Sequence, residues 1–351
     1  MQCIHTNNLV EGMILAQDII GNYDLIFLTR GTILTQDHIQ RLQKMHLSYI
    51  YIYEETENSA TPTSLPANTS IDQELNKEYS KNLATFKTIY EEIGLGQKIE
   101  CEIIEQSVDA LIEEVIKSNN ILGRLKQINV VDTYTYTHSI DVCILSAMIG
   151  KWLNYSKTDL RKLAMTGLLH DIGKCKIPLE ILNKPTTLTI EEFDVIKKHT
   201  TFGYELLQQQ NILDADICCG VLQHHERIDG SGYPSRLQGK NIHEFAKIIA
   251  IVDIFDAMTS KRIYKEQQSP FKVAELIAQN RFGILDPYIA NQFLWNISNF
   301  YSGNIVKLNS GEIGEVVLIN KQEPTKPLIK IDNKFIDLLT SPEYEIMEVL
   351  A

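Results

Sequence analysis

The sequence predicts a mainly α protein, with a small α/β unit ahead of the helical body and a small β-rich tail behind it. Three observations carry this reading. Between residues 71 and 300, one segment after another has helical length and apolar residues at helical spacing. Residues 301–351 instead alternate apolar and polar positions between frequent turn residues. Residues 1–57 hold short strand-like runs around the turn-prone Gly21-Asn22-Tyr23-Asp24.

In residues 1–57, LVEGMILAQDII and DLIFLTRGTIL read as strands, and LSYIYIY as a third. Thr35 can cap a helix over TQDHIQRLQKMH, with acidic Asp37 in its first turn. A β–β–α–β accessory or regulatory domain fits, without chemistry of its own. Residues 58–70, NSATPTSLPANTS, have no charge, no aromatic ring and two prolines, so they read as a linker unable to bury enough surface to order itself. Residues 71–120 read as a helical connector interrupted near Gly94 and Gly96. In it Ile103, Ile104, Val108, Leu111, Ile112 and Val115 form one apolar stripe. The stripe suits a helix packed on its own domain, or a short homodimer seam. Residues 121–300 supply the helical body through IDVCILSAMIGKWL, DLRKLAMTGLLHDIG, TIEEFDVIKKHTTFGYELLQQQ, FAKIIAIVDIFDAM and FKVAELIAQN. Residues 301–351 form the β-rich subdomain.

The net charge of −12 argues against general duplex DNA binding, which depends on neutralising phosphates. A local cluster or metal can still attract one small anion. No apolar run approaches the ~18 residues of a membrane span, and MQCIHTNNLVEGM lacks the basic start and apolar stretch of an export signal. The six cysteines are scattered apart from adjacent Cys218 and Cys219, as expected of free thiols in the cytoplasm.

Of nine histidines, His5, His38, His46 and His243 have nothing informative around them and read as ordinary surface or core residues. The others cluster between 138 and 225: His138 in TYTYTHSIDV, His170 beside Asp171 in LLHDIGK, His199 in IKKHTTFG, and His224-His225 in LQHHERIDGSGYP. Asp253 follows in IAIVDIFDAMTS. Imidazole and carboxylate suit iron, manganese or zinc. Most of these groups sit in apolar helices, where an unpaired ionisable group costs several kcal/mol and a metal removes that cost. Unrelated core histidines would not be expected to arrive as such an ordered set.

That set resembles the HD-GYP family of the HD phosphohydrolase superfamily. The resemblance rests on His170-Asp171 with Gly173-Lys174, on His224-His225-Glu226-Arg227-Ile228-Asp229-Gly230-Ser231-Gly232-Tyr233-Pro234, and on Asp253 through Ser260 followed by Arg262-Ile263-Tyr264-Lys265. It covers about residues 121–295. The N-terminal LVEGMILAQDI and RGTIL are similar to an accessory domain found ahead of such domains. Thr200, His243 and Lys247 depart from the family pattern at positions that are not ligands.

The resemblance implies an HD-superfamily helical catalytic domain that hydrolyses cyclic di-GMP to linear pGpG and/or GMP, by attack of a metal-bridging hydroxide. It implies two divalent metal ions, Fe or Mn with Zn as the alternative. His138, His170, Asp171 and Asp253 would hold one, and His199, His224 and His225 the other, with Asp171 bridging. Lys174 would sit beside the scissile phosphate, Arg262 and Lys265 on the substrate's phosphates, and Tyr233 near its pocket. Two cations against two aspartates leave the pocket net positive within an acidic chain. Tyr134, four residues before His138, stands where some members have a glutamate that serves a third metal, so two metals are expected. The GYP loop could also dock a protein partner. Alternatives are a 3′,3′-cyclic GMP-AMP phosphodiesterase, a nucleotide phosphohydrolase of the wider superfamily, and a non-catalytic cyclic dinucleotide receptor.

Overall fold

The computed structural model describes residues 2–6, 9–16, 19–20, 26–28, 32, 34–35, 38–39, 42, 49–53, 69–98, 101–117, 134–184, 186–210, 214–260, 268–280 and 283–350. The chain divides into two units, Met1–Ala67 and Asn68–Ala351.

In the first unit β1 (Gln2–His5) pairs antiparallel with β4 (Tyr49–Ile52), and β2 (Ile19–Ile20) with β3 (Ile26–Leu28). Leu9, Leu15, Leu34, Ile39, Leu42, Ile50 and Ile52 form its core. The sequence reading missed β1, whose four residues are too short for a clear alternation. Among the described residues of the strand expected over 9–20, residues 11–12 form a turn, Leu15 makes an isolated bridge to Ile52, and Ile19–Ile20 pair with β3. Most of the expected linker, residues 58–68, lies outside the described residues.

The second unit begins with α1 (Thr69–Gly94) and α2 (Cys101–Lys117). Then come α3 (Tyr134–Trp152), α4 (Lys157–Leu169), a tight turn over Ile172–Lys176 and the short α5 (Leu179–Leu182). Next are α6 (Ile190–Lys197), α7 (His199–Gln209), α8 (Ala215–Gln223) and α9 (Glu244–Thr259). The last helices are α10 (Pro270–Asn280) and α11 (Pro287–Phe300). Local chemistry fixes several of the starts. Ser156, Asp214 and Asp286 accept from first-turn amides, and Thr189 and Glu192 form a reciprocal capping box before α6. His243, unremarkable in the sequence, caps α9 through the Phe245 amide.

Helices α3 and α9 are apolar almost all round, and such helices belong at the centre of a bundle. They are packed against each other and against α4, and α9 also packs against α8, with Ile144, Ile149, Leu163, Ile248, Ile251 and Val252 buried. The α2 stripe packs inside this unit: Ile104, Val108, Leu111, Ile112 and Val115 are buried, while Ile103 is exposed. Strands β5 (Ile305–Leu308), β6 (Ile313–Leu318), β7 (Leu328–Ile331), β8 (Lys334–Asp337) and β9 (Ile346–Val349) make an antiparallel sheet in the order β8-β7-β6-β5-β9. Its buried Val306, Leu308, Val316 and Ile329 extend the same core. Among the described residues no helix is long and apolar enough to cross a membrane.

Candidate metal centre

Helix ends build the site. His170 closes α4, His224 closes α8, and His199 follows the cap residue that ends α6. Each of these rings places Nδ1 2.7 Å from the carbonyl three residues earlier: Gly167, Ile196 and Val221 respectively. A carbonyl can only accept, so Nδ1 carries the proton and Nε2 presents a lone pair. The last carbonyls of a helix also carry partial negative charge, so the C-termini of α4 and α8 meet here in a field that favours a cation.

His138, near the start of α3, is set from outside its own helix. Its Nδ1 lies 2.7 Å from Asp256 Oδ2 on α9, and its Nε2 lies 3.2 Å from Asp253 Oδ1. Asp171 is at the centre. Its Oδ2 is 3.3 Å from His170 Nε2 and 3.7 Å from His138 Nε2, while its Oδ1 is 3.4 Å from His199 Nε2. His199 and His224 face each other Nε2 to Nε2 at 3.2 Å. The ring of His225 stands 4.2 Å from that of His224 and 5.1 Å from that of His199. The structure therefore brings His138, His170, Asp171, His199, His224, His225 and Asp253 together. Their donor atoms form two compact groups, His138/His170/Asp171 and His199/His224/His225.

This set fits a divalent metal. His170 Nε2 and Asp171 Oδ1 are buried without a hydrogen-bond partner, an arrangement that costs free energy unless a cation accepts both lone pairs. Two imidazole lone pairs facing at 3.2 Å repel each other for the same reason. The acid–base state agrees. Burial pushes His225 down to about 3, drives His224 well below the usual imidazole range and lowers His199, so all three stay neutral. Burial opposes ionisation of Asp171, but Lys174 and His170 outweigh it and hold the carboxyl well below its usual range. His138 holds the carboxyl of Asp253 down against burial in the same way. Burial also opposes protonation of His138, but Asp253 and Asp256 raise it to about 10.

Around this centre, Lys174 ion-pairs with Asp171 from the turn that follows it. Gly173 permits that turn, since a Cβ there would come 1.9 Å from the His199 carbonyl oxygen. Tyr233 stacks on His225 with ring centroids 4.8 Å apart. Three acidic residues that the sequence reading left without a role support the site. Asp256 orients His138 and also accepts from Ser260 Oγ at 2.8 Å. Glu226 is buried and accepts from the amides of Ser235 and Leu237 at 2.7 and 3.0 Å, which ties down the GYP loop. Asp141, one helical turn beyond His138, accepts from Tyr79 Oη of α1 at 2.9 Å, and burial and Asp256 raise its pKa. Arg262 and Lys265, and the side chain of Tyr134, lie outside the described residues.

A helical core with a buried histidine and aspartate centre of this composition defines an HD-type hydrolase. Residues 102–289 match the family model described as HD domain. The chain belongs to the HD domain family, in its HD-GYP branch. It is 31% identical over 340 residues to the cyclic di-GMP phosphodiesterase PA4108 of Pseudomonas aeruginosa, covering 90% of this chain and 81% of that one. It is 34% identical over 212 residues to the cyclic di-GMP phosphodiesterase of Thermotoga maritima, covering 59% of this chain and 55% of that one. The solved structure of Bd1817, an HDG"Y"P protein from Bdellovibrio bacteriovorus, shares the fold with a TM-score of 0.54 at 19% identity, covering 83% of this chain and 97% of that one.

Proposed function

We infer that the protein is a metal-dependent phosphodiesterase that hydrolyses a cyclic dinucleotide, cyclic di-GMP, to pGpG and/or GMP. The observation that carries this is the buried pair His170 Nε2 and Asp171 Oδ1, both without a hydrogen bond, where five imidazoles converge. The relatives' names supply the substrate class.

Two ions, iron or manganese with zinc as the alternative, would be held by His138, His170, Asp171 and Asp253 and by His199, His224 and His225, with Asp171 shared. When bound, such ions supply Lewis acidity to a phosphoryl group and bring the pKa of water near neutrality. The chain's own residues do the rest. Neutral His199, His224 and His225 add no charge, so two divalent ions held against Asp171 and Asp253 would leave the pocket positive toward an anion. Lys174 is part-exposed at the rim and can turn its ammonium from Asp171 to a phosphate oxygen. Arg262 and Lys265 would grip the substrate's phosphates, and the Tyr233 ring would meet a base. Residues 1–57 would regulate rather than catalyse, in the cytoplasm, and the GYP loop would be the place for a protein partner. The apolar stripe of α2 gives a homodimer through residues 71–120 no support, because it is buried against its own domain.

The test is to incubate metal-loaded protein with cyclic di-GMP and with 3′,3′-cyclic GMP-AMP and to chromatograph the products. Asp171→Ala should lose metal and turnover together. Full activity in that variant would sink the site assignment.

A further inference from the structure

Among the described non-glycine residues, Asn154, Arg236 and Asp332 hold a positive φ, of 58°, 55° and 50°. Asparagine and aspartate tolerate the left-handed region because their short polar side chains can bond the local backbone. Arginine has no such relief. Its conformation is nonetheless held from both sides, because the Glu226 carboxylate accepts from the amides of Ser235 and Leu237, the residues flanking Arg236. Glu226 is 3% exposed, so this clamp is built into the core of the loop. Backbone strain persists where the surroundings over-determine it, and it gathers at ligand-binding positions.

Arg236 lines a cavity of about 430 Å³ together with Phe193, Lys197, Tyr233 and residues 230–232. That volume is in the range of small-ligand sites. The cavity adjoins the metal centre, since the Tyr233 ring that walls it is stacked on His225. Lys197 Nζ stands 4.8 Å from the Phe193 ring centre and 5.9 Å from that of Tyr233. Among the described residues the lining thus offers two aromatic rings and two cations and no carboxylate, with Lys197 also paired to Asp194 at 2.7 Å beside it. An aromatic and cationic wall of this kind suits a nucleotide, which brings a planar base and an anionic phosphate together.

We propose that Arg236 is a substrate-binding residue. With Lys197 it holds the nucleotide half that lies away from the scissile phosphate, and Phe193 and Tyr233 flank the base. This rests on the phosphodiesterase reading above. A guanidinium fork fits two acceptors on such a half: a pair of phosphate oxygens, or O6 and N7 of guanine. Adenine presents an amino donor in place of O6, so a contact to the base edge would also select guanine.

The experiment compares the metal-loaded full chain with its Arg236→Gly and Arg236→Asn variants. Cyclic di-GMP is the substrate, and cyclic di-AMP is a second substrate or a competing inhibitor. Both replacements accept a positive φ and neither carries the cation. They should melt at or above the wild-type temperature and keep their metal, yet raise KM for cyclic di-GMP roughly tenfold. An equal loss of affinity for both nucleotides identifies the phosphate contact. A loss confined to cyclic di-GMP identifies the guanine edge. Unchanged KM in both variants overturns the proposal and leaves the phosphodiesterase reading standing. A wild-type protein that turns over neither nucleotide fails the phosphodiesterase reading itself, and this proposal falls with it.

Discussion

Asp256 offers the sharpest perturbation of the centre, because it touches His138 without being among the residues expected to hold metal. Its carboxylate lies 2.7 Å from His138 Nδ1, and the pair is buried, with 3% and 6% of the two side chains exposed. A hydrogen bond to a charged group is worth about 1.5–3 kcal/mol, against about 0.5–1.5 for a neutral one. Asp256→Asn keeps an oxygen in place but removes the charge, so it should forfeit about 1 kcal/mol of support for the ring. At about 1.4 kcal/mol per decade, that weakens metal binding roughly fivefold. Asp256→Ala removes the partner altogether and should cost about 10–100-fold, the usual range for the carboxylate behind a ligating imidazole. Metal retained after dialysis against graded chelator measures both variants, with circular dichroism to verify that the helices survive. Wild-type metal retention in a folded Asp256→Ala protein would refute the idea that this carboxylate prepares His138.

Metal-free protein should show a matching pH dependence. His138 is raised to about 10 from 6.5, so its ion pairs contribute stability that is complete below about 6.5 and is lost as pH rises through about 10, while metal affinity rises over the same window as the competing proton leaves. Thermal melts of chelator-treated protein and proton release on metal addition test the two halves, and flat melts from pH 6.5 to 10 would contradict the first. Gly232→Ala should cut kcat/KM roughly 10–100-fold in a folded protein, since its Cβ would come 2.5 Å from Glu226 Cα, Arg227 N and the His225 carbonyl oxygen and so displace the loop beside Tyr233. Tyr79→Phe should destabilise the second unit by about 1–3 kcal/mol, because it strips Asp141 of a buried donor, and denaturant melts unchanged from wild type would show that the contact contributes nothing.

The helical body was legible because apolar residues recur at helical spacing, and the gathering of five histidines with Asp171 and Asp253 because most of them lie in apolar segments that have no use for an isolated ionisable group and because their ordered motifs resemble the HD-GYP family. The supporting acids were harder to read. Asp256 had a signal, since it follows Asp253 by three residues on an otherwise apolar helix and so needs a buried partner. Glu226 looked like an ordinary member of a polar loop. Its value comes from two amides, nine and eleven residues on, that only the folded loop brings to it. Tyr79 had no sequence signal at all, because its partner is 62 residues away on a helix whose packing no local pattern fixes. Strand β1 failed for want of length, and His243 for want of any mark separating a capping histidine from a surface one.

The i−3 carbonyl bonds of His170, His199 and His224 make each ring a self-contained fitting. For His170 and His224 the orientation of the donor nitrogen is encoded by the last turn of the helix each one closes, and for His199, the first residue of α7, by the last turn of α6 just before it. Assembly of that part of the centre is then a matter of bringing finished pieces together, and a substitution in one helix body that spares the last turn should leave the other rings aimed as before. His138 is built on the opposite plan. The carboxylate that aims it lies 118 residues downstream, so its orientation exists only once α3 and α9 have docked. It is the member of the set whose readiness records that the tertiary fold is complete.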